Sequence, residues 1–489
     1  MADSHAEDNF PGWLTVLGPS SASFASTSSD TELRIGYLWI IAFIAALGGL
    51  LFGYDWVVIG GAKPFYEAYF HLTTAGLIGW ANSCALVGCF AGSLLAGTSS
   101  EMLGRRSVLI VSALLFAMSS IFTGWSYSFA GFITWRIVGG VAIGLASSVS
   151  PVYIAEISPA AWRGRLVSLN QLAIVIGILL AQIVNWQIAQ VVPKGITSAT
   201  MAVSWNAQSG WRWMFTAVAV PAVLLLISAP FIPESPRWLA ARGKEAKATE
   251  ILRRIGGDNY SRLEVESIRK TLAGLAQTGH WRELFHSPVR KLVLIGVALA
   301  VLQQGSGINI LFNYAEEVYR SAGYGLNDIL FNIVITGAIN LVFTLVAMLL
   351  VDRFGRRKLM IFGCVAIAAS HLAASLAYRA HMQGLSVLVL TLCAIACYAV
   401  SLAPVTWVLI SEIFPNRVRA SAVSVAVAAL WGASFVLTYT FPALDRALGT
   451  SGTFLIYGGI CIAGAVMVFF TVPETQGRSL EQIENAERA

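Results

Sequence analysis

Long apolar runs alternate with short polar breaks along almost the whole chain. The pattern predicts twelve helices, at 37–61, 74–97, 107–127, 129–155, 164–190 and 211–232, then at 291–319, 327–351, 358–379, 386–412, 418–444 and 450–471. Each is long enough to cross the hydrocarbon core of a bilayer, which takes about 20 apolar residues. Some runs are rich in small residues, such as IVGGVAIGLASS at 137–148, and small residues let helices approach closely inside a membrane. The chain thus divides into a six-helix bundle at 34–232 and a second at 291–472. The polar remainder is limited. Residues 1–33 are Ser-rich and acidic, without the basic start and short apolar run of a secretory signal, and read as a disordered tail. Residues 233–290 are charged. Within them GKEAKATEILRRIG and RLEVESIRKTLAGL have helical periodicity and read as amphipathic helices of a linker. Residues 473–489 form a short tail with room for one such helix.

The basic residues fix an orientation. Of 32 Lys and Arg, 25 lie in the two tails or in the loops after spans 2, 4, 6, 8 and 10. The opposite side holds six, Lys63, Lys194, Arg212, Arg320, Arg379 and Arg446, and Arg136 lies inside a span. Basic loops stay on the cytoplasmic side. Both termini and the linker are therefore expected in the cytoplasm, around an even number of spans in the cell membrane.

Composition narrows the class. Of 489 residues, 56% are hydrophobic and 12% charged, with a mean hydropathy of +0.70. Average soluble proteins are roughly 25% charged, so a soluble enzyme, a nucleic-acid binder and a disordered protein are excluded. The six cysteines all sit in apolar runs, which is membrane-core usage and not a disulfide framework. Cys393 and Cys397 share a helix face but lack further ligands, so no metal site is expected. No catalytic motif appears, neither HExxH, GxSxG nor a Walker loop. The chain reads as no enzyme, with no cofactor and no ATP-driven step of its own. His371 is the only histidine inside a span and reads as a packing or hydrogen-bonding residue.

Three landmarks recur. Gly104-Arg105-Arg106 follows span 2 and Gly355-Arg356-Arg357 follows span 8. Glu156-Ile-Ser-Pro159 with Arg163 follows span 4, and Glu412-Ile-Phe-Pro415 with Arg419 follows span 10. Pro233-Glu234 ends span 6 and Pro473-Glu474 ends span 12. The chain is a duplicated six-helix unit, an architecture that builds secondary transporters with substrate near the midplane between the halves. The acids and arginines at the cytoplasmic helix ends are candidate gates, since ion pairs there can lock neighbouring helices in one conformation and release them in another. They are Glu101, Arg105, Arg106, Glu156, Arg163, Asp352, Arg356, Arg357, Glu412 and Arg419. The alternative is that they only satisfy the charge rule.

Buried amides mark a candidate binding site. Span 5 offers Gln171, span 7 offers Gln303, Gln304, Asn309 and Asn313, span 8 offers Asn340 and span 10 offers Trp407. A sugar, a ring of hydroxyls with apolar faces, needs groups that both donate and accept, and aromatic walls. Gln304 and Ile308 are four apart and share a helix face, as do Asn309 and Asn313. Asp55 in span 1 and Arg136 in span 4 are charges at membrane depth, where an unpaired one costs about 2.5–3.5 kcal/mol on insertion scales. Such residues pair. An Asp whose Arg partner moves away can take up a proton, so the pair is either a proton carrier or a static structural pair.

The strings GLLFGYD (49–55), EMLGRR (101–106), WRIVGG (135–140), PVYIAEISPAAWRG (151–164), NQLAIVIG (170–177), PESPRWL (233–239), QQGSGIN (303–309), VDRFGRR (351–357), SEIFPNRVR (411–419) and PETQGRSLEQIE (473–484) resemble the sugar porter family of the major facilitator superfamily, over about 35–480. The closest likeness in motifs is to its bacterial D-xylose–proton symporters. The resemblance implies an all-α membrane fold of twelve transmembrane helices in two repeats with a cytoplasmic helical linker, and transport by alternating access. It implies that Gln171, Gln303, Gln304, Asn309, Asn340 and Trp407 contact the sugar, with Phe52, Ile174, Ile178 and Trp431 as apolar lining. Three departures stand out. Asn313 replaces a Tyr, Leu430 replaces a Gln or Asn before Trp431, and Ala403 replaces a Gly before Pro404. The loop after span 2 also departs, with Glu101 for the usual Asp or Asn and Met102 for a basic residue. Proton symporters of the family carry Asp where this chain has Asp55, whereas facilitative members commonly carry Asn. The expected function is proton-coupled import of a monosaccharide, pentose or hexose and xylose-like first, by a monomer in the bilayer. A facilitative uniporter and a transporter-like sugar sensor are the alternatives.

Overall fold

The computed structural model describes residues 33–193, 198–275, 284–286, 289–414 and 418–472. The expected tail at 1–33, apart from its last residue, and the expected helix at 473–489 lie outside the described residues. The described chain is helical throughout. Its elements are α1 (Ile35–Tyr69), α2 (Ala75–Leu103), α3 (Arg105–Gly124), α4 (Phe129–Ile157), α5 (Ala160–Ile188), α6 (Ser198–Ala202), α7 (Trp211–Thr216), α8 (Ala219–Ser228), α9 (Pro236–Ala241), α10 (Glu245–Leu275), α11 (Val289–Gly305), α12 (Ile308–Asn313), α13 (Ala315–Ser321), α14 (Leu326–Phe354), α15 (Arg356–Arg379), α16 (Leu385–Val400), α17 (Leu402–Glu412) and α18 (Arg419–Thr471). Among the described residues eleven helical segments are long and apolar enough to span a membrane. The last contains two crossings. At 1.5 Å per residue its 51 residues would run about 75 Å, and it turns back at Gly449, whose φ of +67° is left-handed. That gives the twelve expected spans.

Local chemistry sets several starts. The Thr74 hydroxyl accepts from the Leu77 N–H at 3.3 Å and Ser128 accepts from Gly131 at 3.1 Å, each relieving an orphan donor of a first turn. Four spans depart from the simple pattern, the expected span 6 being divided into α7 and α8. Span 1 runs eight residues beyond its expected end at 61, because Lys63 and Glu67, which end the apolar run, neutralise each other at 3.1 Å inside the bundle. Span 7 is broken into α11, α12 and α13, and span 10 into α16 and α17 at Ser401. Hydropathy does not see such breaks, because the residues stay apolar or buried through them.

The first six spans and the last six form two halves. They meet where α1 faces α12 and α13, α2 faces α18 and α5 faces α14. The linker helices belong with the first half. The Trp238 indole and the Arg242 guanidinium donate to the Glu101 carbonyl at 2.8 and 2.7 Å. Ile255 is buried in the same cluster as Leu38, Val108 and Tyr153. The two amphipathic segments of the linker are both helical, separated by a kink at Gly256–Gly257.

Candidate functional site

The break in span 7 positions the amides. Gln303 and Gln304 end α11, Gly307 adopts a left-handed φ of +79°, and Asn309 opens α12. The chain is not a continuous helix here, so the expectation that Gln304 and Ile308 share a face is replaced by a different contact. Asn309 Nδ2 donates to Gln304 Oε1 at 2.6 Å and lies 2.7 Å from Ser434 Oγ on α18. Gln304 Nε2 is 3.4 Å from Gln303 Oε1, and Gln303 Nε2 faces the Leu402 and Ala403 carbonyls at the break in span 10, at 3.3 and 3.4 Å. Four amide and hydroxyl side chains thus form one relay from one broken span, through another, to α18. Ser434, invisible to an amide-based reading, is part of it. A Ser inside an apolar run gives no sequence signal, since most bond back to their own helix.

The aromatic walls come from both halves. The rings of Phe52 and Trp431 meet edge-on at 6.0 Å, and those of Trp56 and Phe312 meet at a tilt at 5.7 Å. Ile178, Ile308, Leu430 and Asn340 are buried, and Gln171 and Ile174 are half-buried. Trp407 is 41% exposed. Among the described residues no hydrogen bond joins Gln171, Asn340 or Trp407 to the relay. Asn313 Oδ1, on the broken span 7, and Trp431 Nε1, on the ring that meets Phe52, are buried without a partner. Buried polar groups are normally paired, so an unpaired set beside an amide relay and two ring pairs suits a hydroxyl-rich guest.

Asp55 and Arg136 are brought together. Arg136 Nη1 lies 3.1 Å from Asp55 Oδ1, both residues are at most 3% exposed, and the guanidinium stacks on the Phe215 ring at 5.2 Å. Asp55 Oδ2 has no partner. Both residues belong to the first half, on α1 and α4. Rigid rocking of one half against the other leaves the pair intact. Separation needs a shift of α1 against α4 inside that half.

The ends of the bundle differ. At the linker end, ion pairs run within each half. Arg105 grips Glu156 through two N–H groups at 2.9 Å each, while Arg356 and Glu412 lie 3.7 Å apart. Glu234 fastens the first pair by accepting the Arg105 and Arg106 backbone N–H groups at 2.9 and 3.2 Å. Its repeat, Glu474, lies outside the described residues. The other gating candidates hold backbone or rings. Arg163 donates to Ala155 O and Ser158 O, Arg419 to Phe414 O, and Arg357 to Phe469 O while stacking on the Phe469 ring. Glu101 contributes its carbonyl to the linker. The side chain of Asp352 is outside the described set.

At the far end, polar contacts join the halves. Lys63 on α1, 1% exposed, pairs with Glu67 on its own helix and with Glu316 at 3.5 Å and Glu317 on α13. Arg320 also binds Glu316. The Lys63 ammonium lies 5.4 Å from the Tyr314 ring centroid. Val192 and Asn327 exchange two hydrogen bonds at 3.0 Å, and Arg446 donates to Thr73 O at 2.8 Å. A Cβ at Gly79 would lie 2.2 Å from the Tyr439 carbonyl. The far end is therefore shut and tightly packed. Reading Lys63 as one of six minority charges missed this cluster, although a Lys four residues before a Glu in an apolar run was a signal for a buried pair.

A family model described as "Sugar (and other) transporter" matches residues 41–486. The chain is 37% identical to the D-xylose-proton symporter of Escherichia coli strain K12, over 93% of this chain and 96% of that protein. It is 36% identical to the arabinose-proton symporter of Bacillus subtilis strain 168, over 92% and 95%. The inward-open conformation of the xylose transporter XylE from E. coli superposes with a TM-score of 0.80 at 35% identity, over 92% of this chain and 99% of that one.

Proposed function

The chain belongs to the family of sugar and other transporters, and from that premise we propose that it is a proton-coupled importer of a monosaccharide, pentose or hexose. It is a multi-pass membrane transporter with the major facilitator fold and not an enzyme. The observation that carries the substrate reading is the relay of Gln303, Gln304, Asn309 and Ser434, whose last two members sit on the same helices, α12 and α18, that carry Phe312 and Trp431 of the two ring pairs. Amides read hydroxyls and rings cover the apolar faces of a sugar. Gln171, Asn340 and Trp407 join the site when the halves close on the sugar, which brings α5, α14 and α17 to the same midplane. Asn313 and Leu430, replacing a Tyr and an amide of the family pattern, set the volume against which pentose and hexose are told apart. One chain holds both halves of the site, so a monomer in the bilayer is the working unit.

The basic-residue bias supports a cytoplasmic linker and cytoplasmic termini. The far end is then extracytoplasmic, and the conformation is inward-facing. Import begins when the far end parts. Lys63 leaves Glu316 and Glu317 but keeps Glu67, which travels on the same helix. Its charge is never left bare in the membrane, where an unpaired one is expensive. Sugar binds at the relay, the far end closes and the linker end opens, with Arg105–Glu156 and Arg356–Glu412 holding helices within each half. Asp55 carries the proton. Because the pair with Arg136 lies inside one half, the transfer is linked to a movement of α1 against α4.

Uptake of radiolabelled xylose, arabinose, glucose and galactose into proteoliposomes, with and without an acid exterior, tests this reading. Accumulation that a protonophore abolishes is the expected result. Equilibration without accumulation would make the protein a uniporter and Asp55–Arg136 a structural pair.

A further inference from the structure

The break in span 7 leaves backbone acceptors without their helical donors, the Ser306 carbonyl among them. Beyond it, the Ile310 N–H turns to the Gly307 carbonyl at 3.0 Å, and the Gly307 N–H to the Gln304 carbonyl at 3.1 Å. In an unbroken helix the Ile310 N–H would serve Ser306. The Ser306 carbonyl is thus released in a residue only 1% exposed, in a part of the bundle where water is not at hand to replace the donor. His371 on α15 supplies it. The imidazole Nε2 lies 2.8 Å from Ser306 O. A carbonyl only accepts, so Nε2 carries the proton and the tautomer is fixed. Nδ1 is left as an unpaired acceptor, and the ring lies against Phe454 and Tyr457, at 5.3 and 6.3 Å between centroids. Tyr457 in turn packs on Gly307, where a Cβ would come within 2.9 Å of its ring. The Ser306 hydroxyl meanwhile donates to Gln303 O at 2.7 Å. His371 therefore grips the Ser306 peptide, inside the short break that separates Gln303 and Gln304 from Asn309.

We propose that His371 is a positioning residue for the sugar site: its Nε2–H caps the broken turn of span 7 and so fixes the angle at which the amides on either side of the break converge. The inference rests on the sugar-binding reading above. His371 does not touch the sugar. It acts through Ser306, and a simple packing role would be filled as well by an apolar side chain of similar size.

The test is sugar binding by the purified full-length protein in nanodiscs, titrated with D-xylose, L-arabinose, D-glucose and D-galactose, together with uptake kinetics. H371Q places an N–H at about the reach of Nε2. H371L fills the space without a donor, and H371N is polar but too short. The expected result is a Kd and KM raised tenfold or more in H371L and H371N, a maximal rate within about twofold, and H371Q within about threefold of the parent. H371L binding as tightly as the parent would overturn the proposal, and so would H371Q as weak as H371L. If H371L does not fold, the contrast between H371Q and H371N decides in the same way. No binding of any of these sugars by the parent protein would sink the sugar reading itself, and this inference with it.

Discussion

The two halves repeat one pattern of helices and loop motifs, yet their interiors are built differently. In the first half, α1 and α4 run unbroken through the membrane and carry a buried ion pair, Asp55 with Arg136 at 3.1 Å. In the second, spans 7 and 10 are broken, and the break in span 7 carries the amide relay. The loop motifs diverge in the same direction, with a tight double contact at Arg105–Glu156 and a loose one at Arg356–Glu412. An unbroken helix satisfies its backbone and leaves side-chain charge as the only titratable element. A broken helix frees backbone and amide groups, which suit a neutral polyhydroxyl ligand. On the function proposed above, duplication has let the first half carry the coupling pair and the second the amide relay.

Substitutions that separate the two roles test this division. The largest effect is expected from Asp55→Asn. Proton-driven accumulation should vanish, while sugar exchange across a membrane without a gradient and sugar affinity persist. Accumulation retained in this variant would move coupling out of the first half. Gln304→Leu should do the converse, since Gln304 sits at the centre of the relay. Binding measured by calorimetry should weaken by about a hundredfold, in line with about 1–3 kcal/mol for each partner left unpaired.

Lys63 joins the halves, and Lys63→Met should leave three carboxylates facing one another with only Arg320 to offset them. Breaking a buried pair by removing one partner costs about 3–5 kcal/mol, so the closed far end should give way. Spin labels at Leu72 and Leu448, read by pulsed dipolar spectroscopy, should show a longer distance. Adding Glu317→Gln should restore part of the closed population, and an unchanged distance in the single variant would show that packing alone seals that end. A smaller difference is expected between repeats, with Arg105→Ala slowing transport several-fold more than Arg356→Ala. Equal rates would mean that the two loops act alike. On the linker, Arg269 bonds to Glu245 at 2.7 Å and holds its carboxyl below the usual range. A depressed carboxylate favours the fold above its unfolded pKa and loses that contribution as pH falls. The pair lies at the surface, with 66 and 43% of the two side chains exposed, so Glu245→Gln should leave uptake and melting temperature unchanged.

Much of this organisation is written along the chain. Twelve spans, two repeats, the charge bias and the identity of the midplane amides follow from residue type and spacing, because burial in lipid demands long apolar helices and penalises charge wherever it falls. Asp55 and Arg136 were legible for that reason, as two charges that each needed a partner. The closure of the far end, the pairing of Lys63 with carboxylates some 250 positions away, the entry of Ser434 into the relay and the cap of His371 on Ser306 were not. Each depends on the rotation of one helix against another and on where a helix breaks. Hydropathy is nearly the same for every rotation of a helix inside a bundle, and only packing against the neighbouring helices selects one. The packing also decided that Asp55 and Arg136 pair with each other, and because both lie in the first six spans their separation is a movement within that bundle and not a consequence of its rocking.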